Sequence, residues 1–207
     1  MPVTQNATED DSDLLFRAFW QHMQEGRNKR KSAFHLATLS YITAQHTPQS
    51  ALVVLRHADA TTQTLGFHTD IRQAKVQALR TKPACSLLFY HPESKTQWRV
   101  SGTCQLEHQT AVAKSIWGAI PHLSRMCYTQ DLPPGTPSQH ASIGFSQQQW
   151  QNRAQFTQKD YAFNHFCAVM IRLECIEWLQ LAHTGHRRHQ WQKSSRDGIW
   201  QSQWLHP

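Results

Sequence analysis

Four residues of one short stretch could together hold an anion. Between Ala51 and Leu79 the chain reads ALVVLRHADATTQTLGFHTDIRQAKVQAL, in which Arg56, Thr69, Arg72 and Lys75 combine three cations with a hydroxyl. A phosphate group asks for this set: charge-assisted bonds from Arg and Lys, a neutral O–H donor, and the free N–H groups of a helix start. Ala51–Arg56 is an apolar, β-branched run ending in a cation, Asp59–Gln63 is turn-like, and Thr64–Thr69 is a second short strand closing on Phe67-His68-Thr69. Asp70 stands where an N-cap is expected, ahead of a helix whose Ile71, Ala74, Ala78 and Leu79 share a face. The same residues also suit a plain hairpin followed by a solvated amphipathic helix.

A second patch, His186-Arg187-Arg188-His189, follows the longest apolar run of the chain. In a strand, Arg187 and His189 share one face and His186 and Arg188 the other. An Arg beside a His can bind a phosphate and offer a proton donor near neutral pH. A charged edge hairpin that discourages aggregation has the same composition. Other chemistry is missing: the sequence contains no H-E-x-x-H, C-x-x-C, G-x-S-x-G, P-loop or G-x-G-x-x-G. Histidines such as His35, His57, His68, His108 and His122 follow no metal-ligand spacing, and no metal site is expected.

The elements that must position these residues are short strands with few helices. Residues 1–10 are expected to be disordered. A first helix capped by Asp11 or Ser12 presents Leu14, Leu15, Ala18, Phe19 and Met23 on one face and ends at Gly26. The cluster Arg27-Asn28-Lys29-Arg30-Lys31 then reads as a solvated loop with phosphate-binding capacity. Phe34–Ile42 is the first strand, and Thr47–Ser50 a turn. Past the helix over Ile71–Lys82, Ala84–Tyr90 and Thr96–Leu106 are further strands. Thr110–Ile120 is a helix broken by Pro121, Leu132–Pro137 a loop, Ser146–Gln158 a polar helix, and Phe166–Leu181 the strongest strand, alternating in its second half. His186–Gln192 and Gly198–Leu205 close the chain as a hairpin. This pattern predicts a mainly β protein with peripheral helices, its strands forming an antiparallel barrel or sandwich. The domain division follows: an N-terminal segment and helix over 1–30, then one domain over 31–207.

At 207 residues the chain can bury a full core. No run is long and apolar enough to span a membrane, and the acidic start has no signal-peptide character, so a cytoplasmic protein is expected. Five cysteines without a paired motif predict free thiols. The net charge of +7 suits an anionic partner. Its cations are isolated within strands apart from residues 27–31 and 186–188, which is not the continuous basic stripe of a nucleic-acid binder.

The order of these motifs resembles the pyridoxamine 5′-phosphate oxidase-like family of FMN-binding split barrels, over most of the chain from Phe34 to Pro207. FHLATLS at 34–40 is similar to the family's first barrel strand, Ala51–Arg56 to its R-x-V-x-x-[KR] strand, and Phe67–Asp70 to its F-[YH]-[TS]-[ND] segment. Ser86–Tyr90 resembles the next barrel strand, and Gln97-Trp98-Arg99-Val100-Ser101-Gly102 the family's Q-x-R-V-x-G. The tail is similar too, with Ile176–Leu179, His186–Arg188, Trp200 and Trp204–Pro207.

The resemblance implies a six-stranded antiparallel split barrel, a homodimer with two FMN sites at the subunit interface, and a small-molecule substrate. It assigns the FMN phosphate to Lys75, Thr69 and Arg72, with His68 beside them. Val53, Val54 and Leu55 would run beneath the isoalloxazine, Gln97 would hydrogen-bond it, and Arg56 would lie close to the ring system and to the substrate. Arg187 and His189 match positions that bind substrate in the oxidases. Departures are visible as well. Ala51 replaces an arginine that binds the phosphate, Ala74-Lys75 replaces an Arg-Lys pair, and the Thr110–Ile120 helix lacks the Tyr and Arg that hold pyridoxal phosphate. The Gln-Ser pair is missing around Pro137-Ser138. A divergent FMN-dependent oxidoreductase is therefore expected, the alternatives being a true pyridoxamine 5′-phosphate oxidase and a non-catalytic flavin- or haem-binding protein.

Overall fold

The computed structural model describes residues 9–153 and 160–207. Its elements run α1 (Glu9–Asn28), β1 (Leu36–Ile42), β2 (Pro48–Asp59), β3 (Thr64–Asp70), α2 (Ala74–Thr81), β4 (Ala84–His91), β5 (Thr96–Glu107), α3 (Ala111–Ala119), α4 (Gln147–Gln151), β6 (Phe166–Gln180), β7 (Arg187–Lys193) and β8 (Trp200–Leu205), with 3-10 turns at His122–Tyr128 and Asp160–His165. The strands are antiparallel in the order β3-β2-β1-β4-β5-β6-β7-β8, and a further β3–β6 pairing closes the first six into a barrel. This is the expected six-stranded barrel, with the closing hairpin β7–β8 continuing the sheet beyond it. No described helix is long and apolar enough to cross a membrane.

β6 makes the closure possible because it is long enough to serve two neighbours along one edge. Its first half pairs with β3 from Asp70↔Phe166 to Thr64↔Arg172, and its second half pairs with β7 from Cys175↔Gln192 to Gln180↔Arg187. The switch coincides with a register shift at Ser101/Gly102 in β5, which pairs along the other edge.

The barrel is filled from alternate strand positions by Leu39, Leu55, Phe67, Leu87, Phe89 and Trp98, all buried. α1 belongs to the same core. Phe19 and Met23 are fully buried, and the Phe19 ring lies 5.2 Å from that of Trp98. A smaller cluster of Trp117, Tyr128, Phe166 and Ala168 packs α3 and the following turn onto the outside of β6. Alternation is consequently lost over Phe166–Val169, which are buried on both faces.

Several local expectations are corrected. α1 begins at Glu9 rather than at an Asp11 or Ser12 cap, and it runs through Gly26 to Asn28. Gly26 is a close approach and not a stop: a Cβ there would lie 2.2 Å from the Phe34 carbonyl oxygen. Pro48 opens β2 instead of sitting in a turn. Asp70 does not cap α2; the N-cap is Gln73 without a side-chain bond, and the buried residues of the helix are Val76, Ala78 and Leu79. Of the expected helix over Ser146–Gln158, α4 covers Gln147–Gln151, and residues 154–158 lie outside the described residues, as do 1–8. The described cysteines are all free thiols, as expected.

The second half of β6 does not alternate in burial as its sequence suggests, because Glu177 is buried between two arginines. Its Oε1 accepts from Arg99 Nη2 at 2.6 Å and its Oε2 from Arg188 Nη2 at 2.8 Å. Burial works to raise this carboxyl, and the two arginines together outweigh it and hold it below its ordinary range. A carboxyl lowered in the folded state contributes stability that is present above its unfolded value near 4.5 and is lost as the pH falls below it. Glu177→Gln is therefore expected to cost about 1–2 kcal/mol at neutral pH, both arginines being partly exposed and screened. The loss should shrink below pH 4.5 when urea midpoints of the two proteins are compared.

Candidate functional site

The β2–β3 hairpin carries a bulge that its sequence does not announce. Leu55 pairs with Phe67 and His57 with Gly66, so Arg56 is the extra residue. Burial parity changes across it, from Val53 and Leu55 to Ala58. Arg56 and His57, neighbours in sequence, are thereby brought to one cavity of about 590 Å³, within the range of small-molecule sites.

One side of this cavity is β2, with Leu52, Val53 and Val54, together with His68, Thr69 and Asp70 at the end of β3. Gln73 and Lys75 enter from the start of α2. Ile116 and Ala119 of α3 line it, followed by Ile120 and Pro121 after the helix and Ser124, Cys127 and Tyr128 of the next turn. The end of α1 contributes Arg27 and Asn28.

Its charge is strongly one-sided. Among the described residues no ion pair involves Arg27, Arg56 or Lys75. Lys75 is half-buried, and burial alone lowers its ammonium from the ordinary value. Asp70, the carboxylate that lines the cavity among the described residues, is already engaged: Arg72 Nη2 donates to it at 2.7 Å, Arg72 Nε at 3.0 Å and the Arg72 backbone N–H at 2.8 Å. Thr69 is 6% exposed, and its Oγ1 has no hydrogen-bond partner among the described residues. A buried hydroxyl without a partner is costly, and it marks a place where a ligand acceptor fits. Burial, with Arg56 and His57 adding to it, lowers His68 to about 4, and burial with Arg27 lowers His57. Both imidazoles are therefore neutral at pH 7, and the positive charge is that of Arg and Lys.

Of the residues singled out from sequence, Val53, Val54, Arg56, His68, Thr69 and Lys75 meet at this cavity. Leu55 faces the barrel core instead, 1% exposed, as alternation along β2 requires. Arg72 is turned away from it. Besides Asp70, its guanidinium donates to the carbonyls of Gln130 at 2.9 Å and Asp131 at 3.1 Å, tying the segment after Tyr128 to the β3–α2 junction. Gln97, Arg187 and His189 do not line the cavity of this chain. Gln97 pairs with Tyr90 and Leu179 in the sheet. Arg187 lies 5.4 Å over Trp178, and His189 is packed between Trp191 and Trp204, its Nδ1 buried without a partner among the described residues.

Sequence reasoning missed His57, Gln73 and the Ser124–Tyr128 wall as site residues. It also read Arg27 and Asn28 as part of a solvated loop, and they are in the last turn of a helix at the cavity. The only signal for this was the Gly26 that lets α1 approach Phe34, and its sequence context reads equally well as a helix stop.

Residues 15–108 match the family described as pyridoxamine 5′-phosphate oxidase, FMN-binding domain. A pyridoxine/pyridoxamine 5′-phosphate oxidase of Caulobacter vibrioides is 27% identical over 134 residues, 65% of this chain. The match spans 58% of that relative's length. Among solved structures, a pyridoxamine 5′-phosphate oxidase-related, FMN-binding protein of Nostoc punctiforme superposes with a TM-score of 0.73 at 18% identity, covering 93% of this chain and 97% of its own. PhzG of Burkholderia lata, in complex with tetrahydrophenazine-1-carboxylic acid, gives 0.67 at 16% identity, covering 100% and 97%. At such identities these two likenesses establish the fold.

Proposed function

We propose that this chain is a member of the pyridoxamine 5′-phosphate oxidase-like family of split barrels, which its match over residues 15–108 supports, that it binds FMN in the cavity between β2, α2 and α3, and that it is an FMN-dependent oxidoreductase for a small molecule. The observation that carries this reading is the presence at one cavity of Lys75, a half-buried cation, and Thr69 Oγ1, a buried hydroxyl, neither of which has a carboxylate or hydrogen-bond partner among the described residues. Together they offer a phosphate ester a charge and a donor. The residues present therefore fit the group. Gln73 stands beside them at the start of α2 and takes the place that sequence assigned to Arg72, whose guanidinium is committed to Asp70.

In this reading Val53 and Val54 support the ring system of the cofactor, and Arg56 offers a cation where negative charge develops on reduction. Bound there, FMN would supply hydride or electron transfer, and the chain supplies position, charge and exclusion of water. Ile116 of α3 and Ile120 just after it provide the last of these.

The homodimer belongs to the same proposal. Leu52 of β2, on one side of β1, and Leu88 and Tyr90 of β4, on the other, expose apolar surface, Leu52 to 70%, and this face is uncovered in the single chain. Gln97, Arg187 and His189 would then serve the site of a second copy.

One experiment tests both parts. Purified protein is incubated with FMN, freed of excess and examined by absorption and light scattering. The expected result is a retained flavin spectrum on a particle of twice the chain mass. A colourless protein, or a Soret band, would overturn the FMN assignment, and a monomeric holoprotein would overturn the shared site.

A further inference from the structure

We infer that Arg27 and Arg56 form an anion subsite in this cavity, facing the apolar wall of α3, and that the second ligand is an apolar, ring-sized molecule carrying a carboxylate. The inference rests on the FMN reading for what occupies the remainder of the cavity. Arg27 is delivered to this place by a built contact. Gly26 allows the end of α1 to lie so close to the segment before β1 that any Cβ would strike the Phe34 carbonyl. The Gly26 carbonyl is held by His35 Nδ1 at 2.7 Å, and Gln24 Nε2 donates to the Ala58 carbonyl of β2 at 2.7 Å. A cation in the last turn of a helix ordinarily just complements the dipole. This one lines a cavity together with Arg56, which the β2 bulge turns to the same space.

No carboxylate pairs with either arginine among the described residues, and the imidazoles near them, His57 beside Arg27 and His68 beside Arg56, are lowered by burial and by those cations. Each guanidinium offers a planar fork of donors that matches a carboxylate. The α3 side decides the body of the ligand. Ile116, Ala119 and Ile120 present neither a cation nor a hydroxyl, so a ring rich in hydroxyl and amino substituents would bury polar groups without partners there. A phosphate ester on the ligand would likewise find no side-chain donor among the α3 residues that line the cavity.

The test uses the full chain loaded with FMN and three probes: 2-naphthoate, the uncharged 2-naphthalenemethanol, and pyridoxal 5′-phosphate. Binding is read by calorimetry and by perturbation of the flavin absorption band. Naphthoate should bind at least about 10-fold more tightly than either other probe, the scale of one charge-assisted hydrogen bond. Arg27→Gln should remove that preference for naphthoate over the alcohol, and Arg27→Lys should retain most of it, while FMN affinity stays the same in both. Equal binding of acid and alcohol, tighter binding of pyridoxal 5′-phosphate, or an Arg27→Gln protein that still prefers the acid would overturn the subsite. FMN uptake is measured first and separately. If it fails, the cofactor reading falls, and calorimetry of naphthoate against the unloaded wild type and Arg27→Gln still decides the subsite.

Discussion

Gly102→Ala is expected to destabilise the protein by about 3 kcal/mol or more, the upper end for overpacking a tight interior. A Cβ at Gly102 would lie 2.0 Å from the Arg172 carbonyl oxygen and 2.9 Å from its carbon. Both are backbone atoms, so no side chain can swing aside. The clash falls where β5 shifts register and β6 leaves β3 for β7. Relief requires β5 and β6 to separate at that point. For a chain of this length about 3 kcal/mol corresponds to a melting temperature lower by roughly 6–12 °C. Gly118→Ala is the matched control. Nothing lies within 4 Å of its added Cβ, and in α3 alanine should stabilise by up to about 1 kcal/mol. Thermal melts of the two variants should move in opposite directions. A Gly102→Ala protein that melts with the wild type would mean that the strands do not approach as described.

Lys75→Ala is expected to weaken FMN binding by roughly 10- to 150-fold, the loss of one charged partner worth about 1.5–3 kcal/mol. Burial already lowers the ammonium of the free protein, so a phosphate dianion beside it relieves a cost that the unliganded cavity carries. Quenching of FMN fluorescence on titration reads the affinity directly. Arg72→Ala separates the structural arrangement from the one suggested by sequence. Its guanidinium joins Asp70 to the carbonyls of Gln130 and Asp131, so its removal should lower the melting temperature. Affinity for FMN should then fall less than in Lys75→Ala. If Arg72→Ala abolishes FMN binding in a folded protein while Lys75→Ala leaves it intact, the phosphate site proposed above is wrong.

Much of the site was legible because its residues come from consecutive elements. Val53, Val54, Arg56, His68, Thr69 and Lys75 occupy a strand, a hairpin partner and the following helix, and such neighbours stay together under any packing of the sheet. Arg72 shows where that reasoning ends. Residue type and spacing placed it beside Lys75, and its nearest neighbour in space, Asp70, is the stronger claim on its charge.

The amino-acid sequence by itself determined the strands, their approximate ends, the helix over Thr110–Ile120 and the free state of the described cysteines, because hydrophobic period and turn residues are local properties. Tertiary structure alone decided the rest. The bulge that turns Arg56 and His57 together depends on pairing with Phe67 and Gly66. The burial of Glu177 depends on arginines from β5 and β7. The approach of Arg27 to the cavity depends on how closely α1 can lie against Phe34. Only the Arg99–Glu177 contact joins segments far apart in the chain; the bulge and the Gly26–Phe34 approach lie between near neighbours in sequence, yet their geometry is set by strand register and packing and not by hydrophobic period.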